Sequence, residues 1–208
     1  ASSSSIYGGN TKLPFSENDP VNHPVSLYAA TKRSNELVAH SYSHLYGIPC
    51  TGLRFFTVYG PWGRPDMAPM IFTKAISTKK PITIFNKGEM YRDFTFIDDV
   101  TEIIFRLTKK PAIVNKKFDT DNPNPSSSWA PNMIFNVGNS KQINLMSFIN
   151  LLEKELGIVA IKNFEEMQKG DVKSTSSETD AIESWIGFKP NTPIELGIKK
   201  FINWYKEF

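Results

Sequence analysis

The sequence predicts an α/β fold, on three observations. Residues 26–46 carry helical spacing and stop at Gly47 and Pro49, the punctuation expected after a helix. Directly afterwards, 51–58 concentrates Leu53, Phe55, Phe56 and Val58, the apolar bulk of a strand buried in a parallel sheet. Helical and strand-like segments then keep alternating to the C-terminus. With 208 residues, 40% of them hydrophobic, the chain can bury one sizeable core, or one core and a small lobe.

The elements follow in order. Residues 8–22 are polar and turn-rich and read as a loop. In the helix over 26–46, Leu27, Ala30, Leu37, Val38 and Leu45 lie on one side and Lys32, Arg33 and Glu36 along another. The strand over 51–58 points its C-terminal end at the place where doubly wound sheets bind ligands. Residues 67–79 read as a helix with Ile71, Ala75 and Ile76 buried. A short strand at 81–85 leads through a turn into a second at 91–96. Asp98 and Asp99 cap the next helix, 100–109. The run 119–131, rich in Asp, Asn, Pro and Ser, reads as a mobile surface loop. A strand over 133–137 follows, then a helix capped by Asn144 and closed by Gly157. Residues 158–164 form another strand. The last helix starts with Thr192 as cap, Pro193 at its first position and Glu195 completing a capping box, and buries Leu196, Phe201, Trp204 and Tyr205.

Composition removes several classes of function. A net charge of +3, spread over short lysine pairs, gives no nucleic-acid surface. The single cysteine, Cys50, allows no internal disulfide and no cysteine metal site, which fits a reduced, cytoplasmic setting. His23, His40 and His44 have no carboxylate or cysteine partners at ligand spacing, so no metal is expected. No apolar run reaches the roughly 20 residues of a membrane span, and the N-terminal serines lack the features of a signal peptide.

Chemistry concentrates in two short segments, Ala1-Ser-Ser-Ser-Ser-Ile-Tyr-Gly8 and Ser26-Leu-Tyr-Ala-Ala-Thr-Lys32. Tyr28 and Lys32 are one helical turn apart, so both leave the same face. An ammonium beside a phenol favours the phenolate, and a tyrosine so tuned can serve as general base and, in reverse, general acid on an alcohol. The spacing alone also suits a half-buried helix tyrosine beside a solvated lysine.

Context adds to it: Pro24-x-Ser26-x-Tyr28-x-x-x-Lys32, then Leu53-Arg-Phe-Phe-Thr-Val-Tyr-Gly-Pro61, then Arg92-Asp-Phe-Thr-Phe-Ile-Asp98. In that order, after the serine run, these resemble the extended short-chain dehydrogenase/reductase family, and more closely its nucleotide-sugar epimerases acting on UDP-glucuronate. The resemblance implies the C-terminal part of a Rossmann-like doubly wound parallel sheet, plus a small mixed α/β substrate-binding lobe. Residues 1–60 would be the remnant of the NAD-binding domain and 61–208 mainly the lobe, with 97–138 returning to the sheet. The serine run would end a parallel strand. No G-x-G-x-x-G follows a strand anywhere in the sequence, so the chain reads as a portion lacking the glycine-rich pyrophosphate turn.

The resemblance also assigns roles. Ser3, Tyr28 and Lys32 would be catalytic, and Tyr28, Lys32 and Phe56 would meet NAD. Ser3, Ser4, Ser5, Thr57, Arg64 and Ala68 would hold the sugar, Thr83 and Phe85 the uracil, and Arg92 the diphosphate. Gln168 and Asp171 would reach ribose and phosphate in Met167-Gln-Lys-Gly-Asp171, where Lys169 replaces the family's proline. Thr57 could equally be an ordinary strand residue, and Arg92 a surface partner of Asp93. Related dehydratases carry Asp-Glu where this chain has Ser4 and Ser5, and decarboxylases a glutamate at Ser5. Two hydroxyls supply neither acid nor base but can hydrogen-bond a carboxylate. The implied activity is NAD-dependent conversion of UDP-glucuronate to UDP-galacturonate for capsular polysaccharide, with a homodimer as the full-length form. The alternatives are a UDP-glucose 4-epimerase and a non-catalytic fragment that binds a UDP-sugar or a partner.

Overall fold

The computed structural model describes residues 1–168 and 170–207; the expectation about Lys169 lies outside them. In chain order the elements are β1 (Ser2–Ser3), α1 (Leu27–Tyr46), β2 (Cys50–Phe55), β3 (Thr57–Tyr59), α2 (Ala68–Ser77), β4 (Pro81–Phe85) and β5 (Tyr91–Phe96). They continue with α3 (Ile97–Lys109), β6 (Asn132–Val137), β7 (Gln142–Asn144), α4 (Leu145–Leu156), β8 (Ile161–Glu165), α5 (Asp180–Ile186) and α6 (Ile194–Glu207).

One sheet is all parallel, in the order β1-β2-β6, with Ser2 opposite Arg54 and Ser3 opposite Phe55. Helix α1 packs against all three strands. A separate core joins Val100, Ile103 and Leu107 of α3 to Phe135 and Val137 of β6 and Ile182 of α5. A second sheet runs β3-β5-β7, parallel then antiparallel, and β4 pairs in parallel with β8. The largest core lies with these strands, where Phe94 and Phe148 stack at 4.3 Å between centroids and Ile198, Phe201 and Ile202 of α6 close over them.

Several elements differ from expectation for identifiable reasons. The single strand over 51–58 is two strands. The Phe56 N–H makes the last bond to the β6 side, to the Val137 carbonyl at 3.0 Å, and Thr57 then crosses to pair with Phe94 of the second sheet. The apolar side of α1 is outward: Leu27, Leu37, Val38 and Leu45 are all exposed, Leu27 by 82%. What α1 buries is Ala29, Glu36 and Ser43, because the side chain it meets on β2 is a buried arginine.

In α2, Phe72 and Ile76 are inside while Ile71 is exposed, and in α6 Leu196 is exposed while Gly197 and Ile198 are buried. Helix α3 starts at Ile97, so Asp98 and Asp99 occupy its first turn rather than its cap. There they favour the positive end of the helix dipole, and Asp99 accepts the Thr192 N–H at 3.0 Å. The run over 119–131 is fastened to α1, where Trp129 donates to His44 at 3.1 Å and Ser128 bonds His40 at 2.8 Å. Strand β7 and helix α5 carry too few patterned residues to have been anticipated.

Gly197 sits where α6 lies against the Tyr59 side chain of β3, and a Cβ there would overlap the Tyr59 hydroxyl. Gly197→Ala, favourable for an isolated helix, should therefore lower stability by roughly 1–3 kcal/mol through overpacking. Urea unfolding checks this; a higher midpoint for the variant would contradict it.

Candidate active site

The serine run owes its position to β1. Ser3 ends that strand and caps the 3-10 turn Ser4–Tyr7, its Oγ accepting the Ser5 N–H at 3.2 Å. Helix α1 arrives alongside, started by Ser26, whose Oγ accepts the Ala29 N–H at 3.1 Å. One turn in, Lys32 Nζ donates to the Ala1 carbonyl at 3.1 Å and lies 5.8 Å from the centre of the Tyr28 ring. The lysine thus joins the helix to the head of the serine run, and Tyr28 stands half exposed at the edge.

A cleft of about 580 Å³ opens there. Its walls bring together Ser3, Ser4, Ser5, Tyr28, Lys32, Phe56, Thr57 and Arg64 of the expected site. Among its described lining residues none is Asp or Glu, whereas Lys32 and Arg64 are both cationic. A smaller hollow of about 150 Å³ shares Ser4, Ser5 and Thr57 with the cleft and continues to Arg92 and Asp171. The two spaces meet at three hydroxyls. Ala68 and Phe85 instead pack against the large core, Thr83 lies half-buried on β4, and Gln168 is exposed; none of the four lines either space.

Arg92 does not pair with Asp93. Its Nη2 donates to Asp171 at 2.8 Å and its Nη1 to the Lys173 carbonyl at 3.2 Å. Burial pushes its guanidinium below the ordinary value, and the Asp171 charge pulls the other way. Asp93 points inward and accepts four bonds, from the N–H groups of Asn139, Ser140 and Ser177 and from the Ser177 hydroxyl. Burial pushes its carboxyl up. It fastens the 138–140 and 175–177 segments to the strand that carries Arg92. Arg64 is exposed and held by Asp66, with Nε 3.1 Å from Oδ1; that carboxylate raises the guanidinium's pKa, and the Tyr28 side chain adds to the rise.

Sequence reasoning missed the buried machinery behind the site. Arg54, fully enclosed on β2, donates Nε and Nη2 to the two Glu36 oxygens at 3.0 and 3.1 Å and Nη1 to the Tyr7 hydroxyl at 3.0 Å. The Tyr7 hydroxyl donates to Asn136 at 2.6 Å, and burial pushes its pKa up to about 12. The Asn136 N–H in turn donates to Glu17 at 2.7 Å, whose carboxyl burial also raises. A polar residue between Leu53 and Phe55 was the available signal for this network. Trp62, at a left-handed φ of 60°, and Gly60, at φ 140°, also line the cleft. At Gly60 a Cβ would clash with Ile97, which is why the strand can turn into the cleft wall only with glycine there.

Burial acts to raise the Glu36 pKa, but the hydrogen bonds and charge of Arg54 outweigh it and hold the carboxyl below its usual value. The stability it contributes is therefore present above about pH 4.5 and is lost as pH falls through the lowered folded value. Glu36→Gln should cost on the order of 3 kcal/mol at pH 7, and the gap to the parent protein should narrow below about pH 4. Thermal melts across pH check this. A gap that widens in acid would contradict it.

A sequence model of the NAD dependent epimerase/dehydratase family matches residues 1–119. Protein CapI of Staphylococcus aureus is 54% identical over 208 residues, and a probable UDP-glucuronate 4-epimerase of Rhizobium meliloti is 47% identical. Both comparisons cover all of this chain, which spans 62% and 61% of those relatives' own lengths. Among solved structures, UDP-glucuronic acid 4-epimerase from Bacillus cereus, in complex with UDP-glucuronic acid and NAD, superposes with a TM-score of 0.82 at 32% identity, covering 99% of this chain and 60% of that one. UDP-glucose 4-epimerase from Thermotoga maritima, with UDP-glucose, gives a TM-score of 0.82 at 25% identity, with 99% and 62% covered.

Proposed function

This chain belongs to the NAD dependent epimerase/dehydratase family, and on that premise we propose that it carries the catalytic and sugar-binding part of a 4-epimerase for a UDP-hexuronate, UDP-glucuronate above all. The observation that carries the reading is the acid-free cleft in which Tyr28 and Lys32 share walls with Ser3, Ser4, Ser5, Thr57 and Arg64. Residues 1–60 would serve the cofactor side and 61–208 chiefly the nucleotide sugar, with 97–138 returning to the first sheet.

The residues present fit the reactive end of a dinucleotide: Phe55, Phe56 and Pro61 give the cleft an apolar wall for a planar ring, and Lys32 supplies a hydroxyl-binding cation. NAD, when bound, supplies the acceptor and donor of the electron pair that leaves C4 and returns to it. Tyr28 takes the proton of the sugar 4-hydroxyl and later gives it back. Ser3 holds the same oxygen in line. Ser4, Ser5 and Thr57 donate to the C6 carboxylate, and Arg64, on leaving Asp66, would balance its charge. At the 4-keto stage the sugar is a β-keto acid; it turns over in the pocket to present the other face of C4, and these donors hold its carboxylate against loss of carbon dioxide. Beyond the shared hydroxyls, Arg92 offers a planar, charged fork to the diphosphate. Gln168 would reach the nucleotide only after movement of its loop, and Thr83 and Phe85 on β4 and Ala68 at the start of α2 only after movement of those elements. The outward apolar side of α1, from Leu27 to Leu45, suits burial against a second copy of the full-length protein.

In the full-length gene product, Tyr28→Phe should reduce kcat at least about 100-fold while leaving UDP-glucuronate binding intact. Calorimetry beside a turnover assay checks this, and retained turnover would refute the role of Tyr28. A kcat/KM for UDP-glucose equal to or above that for UDP-glucuronate would make the enzyme a neutral-sugar epimerase instead. Arg92→Ala should weaken UDP binding by roughly 10- to 100-fold, the worth of a charged hydrogen bond. Unchanged affinity would remove Arg92 from the site.

A further inference from the structure

We infer that Arg54 and Glu36 are positioning residues for Tyr28 and Lys32, fixing the rotation of α1 about its own axis; this rests on the catalytic reading given above. Helix α1 has other ties, Lys32 to the Ala1 carbonyl and His40 and His44 to Ser128 and Trp129, but they run through helix side chains that are exposed or half-buried. Its buried residues are Ala29, Glu36 and Ser43, two of them too small to interlock with the sheet. Along the helix, Glu36 follows Lys32 by one turn and Tyr28 by two, so the three step round the cylinder by about 40° each. Whatever holds the Glu36 carboxylate therefore sets where the ammonium and the phenol point.

That carboxylate is held in a geometry that permits one orientation. Arg54 meets it with a two-pronged fork at 3.0 and 3.1 Å, and Arg33 Nη1 holds Oε2 from the other side at 2.8 Å. Arg54 is itself locked, by the Tyr7 hydroxyl at 3.0 Å and the Glu17 carbonyl at 3.3 Å. It lies directly opposite Ser2, next to the catalytic serine, and its strand runs on into Phe56 and Thr57 of the cleft. One guanidinium thus references the helix, the serine run and the cleft wall to each other. A buried ion pair is a poor means of gaining stability, since apolar replacements often match or exceed it. Its value lies in direction. A displacement of about 1 Å at a reacting group can cost about 100-fold in rate.

The test uses the full-length protein and three variants: Arg54→Lys, Arg54→Met, and Arg54→Met combined with Glu36→Leu. Arg54→Lys keeps the charge and loses the fork; kcat should fall about 10- to 100-fold with KM for UDP-glucuronate changed less than about threefold. The double variant should recover most of the Tm lost by Arg54→Met alone while kcat stays low. Recovery of kcat together with Tm, or an unchanged kcat in Arg54→Lys, would reduce the pair to a stabilising one and overturn the inference. A crystal structure of the double variant reads the same claim without turnover. It should show α1 rotated and the Tyr28 hydroxyl displaced from Ser3 by more than about 1 Å, on the scale that matters for rate; an unmoved helix would overturn it. A parent protein that turns over no UDP-sugar would instead sink the proposed function, and the crystal structure still decides the positioning.

Discussion

A single buried ion pair governs how the two halves of the site meet. Arg54 on β2 and Glu36 on α1 are both enclosed, and neither charge has water to turn to. Removing either would leave the other uncompensated in the interior, a situation far more costly than the pair itself is favourable. The interior around them is arranged accordingly: Tyr7, Glu17 and Asn136 complete a polar network in which each donor points at an acceptor. The helix that carries Tyr28 and Lys32 could not pack through its apolar side without giving this network up. Its leucines therefore face outward.

The cleft inherits its character from that arrangement. Because β2 stops at Phe55 and the chain crosses to another sheet at Phe56, Thr57 and its neighbours open away from the first sheet instead of continuing it. The crossing makes room between the serine run and the lobe, and three hydroxyls bridge it to the Arg92 hollow. The lobe side has its own hub in Asp93, whose four donors fix the segments around Arg92. The two sides answer different demands. One presents hydroxyls and cations, the other a charged fork.

The legibility of all this in the sequence was uneven, and the pattern has physical reasons. The alternation of helices and strands, the cap at Asn144 and the glycine stops at Gly47 and Gly157 are local signals, and they placed those elements closely. Tyr28, Lys32 and the serines came together as expected because each lies at an element's end, where order along the chain fixes position in space. Facing was harder to read. In α1 the apolar residues do not coincide with the buried face, since what that face meets is decided by a distant residue, Arg54; in α2 Ala75 and Ile76 do face the core and only Ile71 turns out of the expected stripe. The roles of Arg92 and Asp93 depended on Asp171 and Ser177, roughly eighty residues away. Pairing at that distance leaves no mark on local spacing.

On the proposed function, a cleft offering hydroxyls and cations, with no carboxylate among its described lining residues, lets a uronic acid sugar be oxidised and reduced at C4 without losing its carboxylate. Incubating the full-length protein and NAD with UDP-glucuronate labelled with carbon-13 at C6 tests this most directly, with products followed by NMR. The label should move only into the C4 epimer, to equilibrium, with all of it still in a carboxylate. Labelled carbon dioxide accumulating beside a pentose product, or a labelled sugar that has lost water, would contradict it.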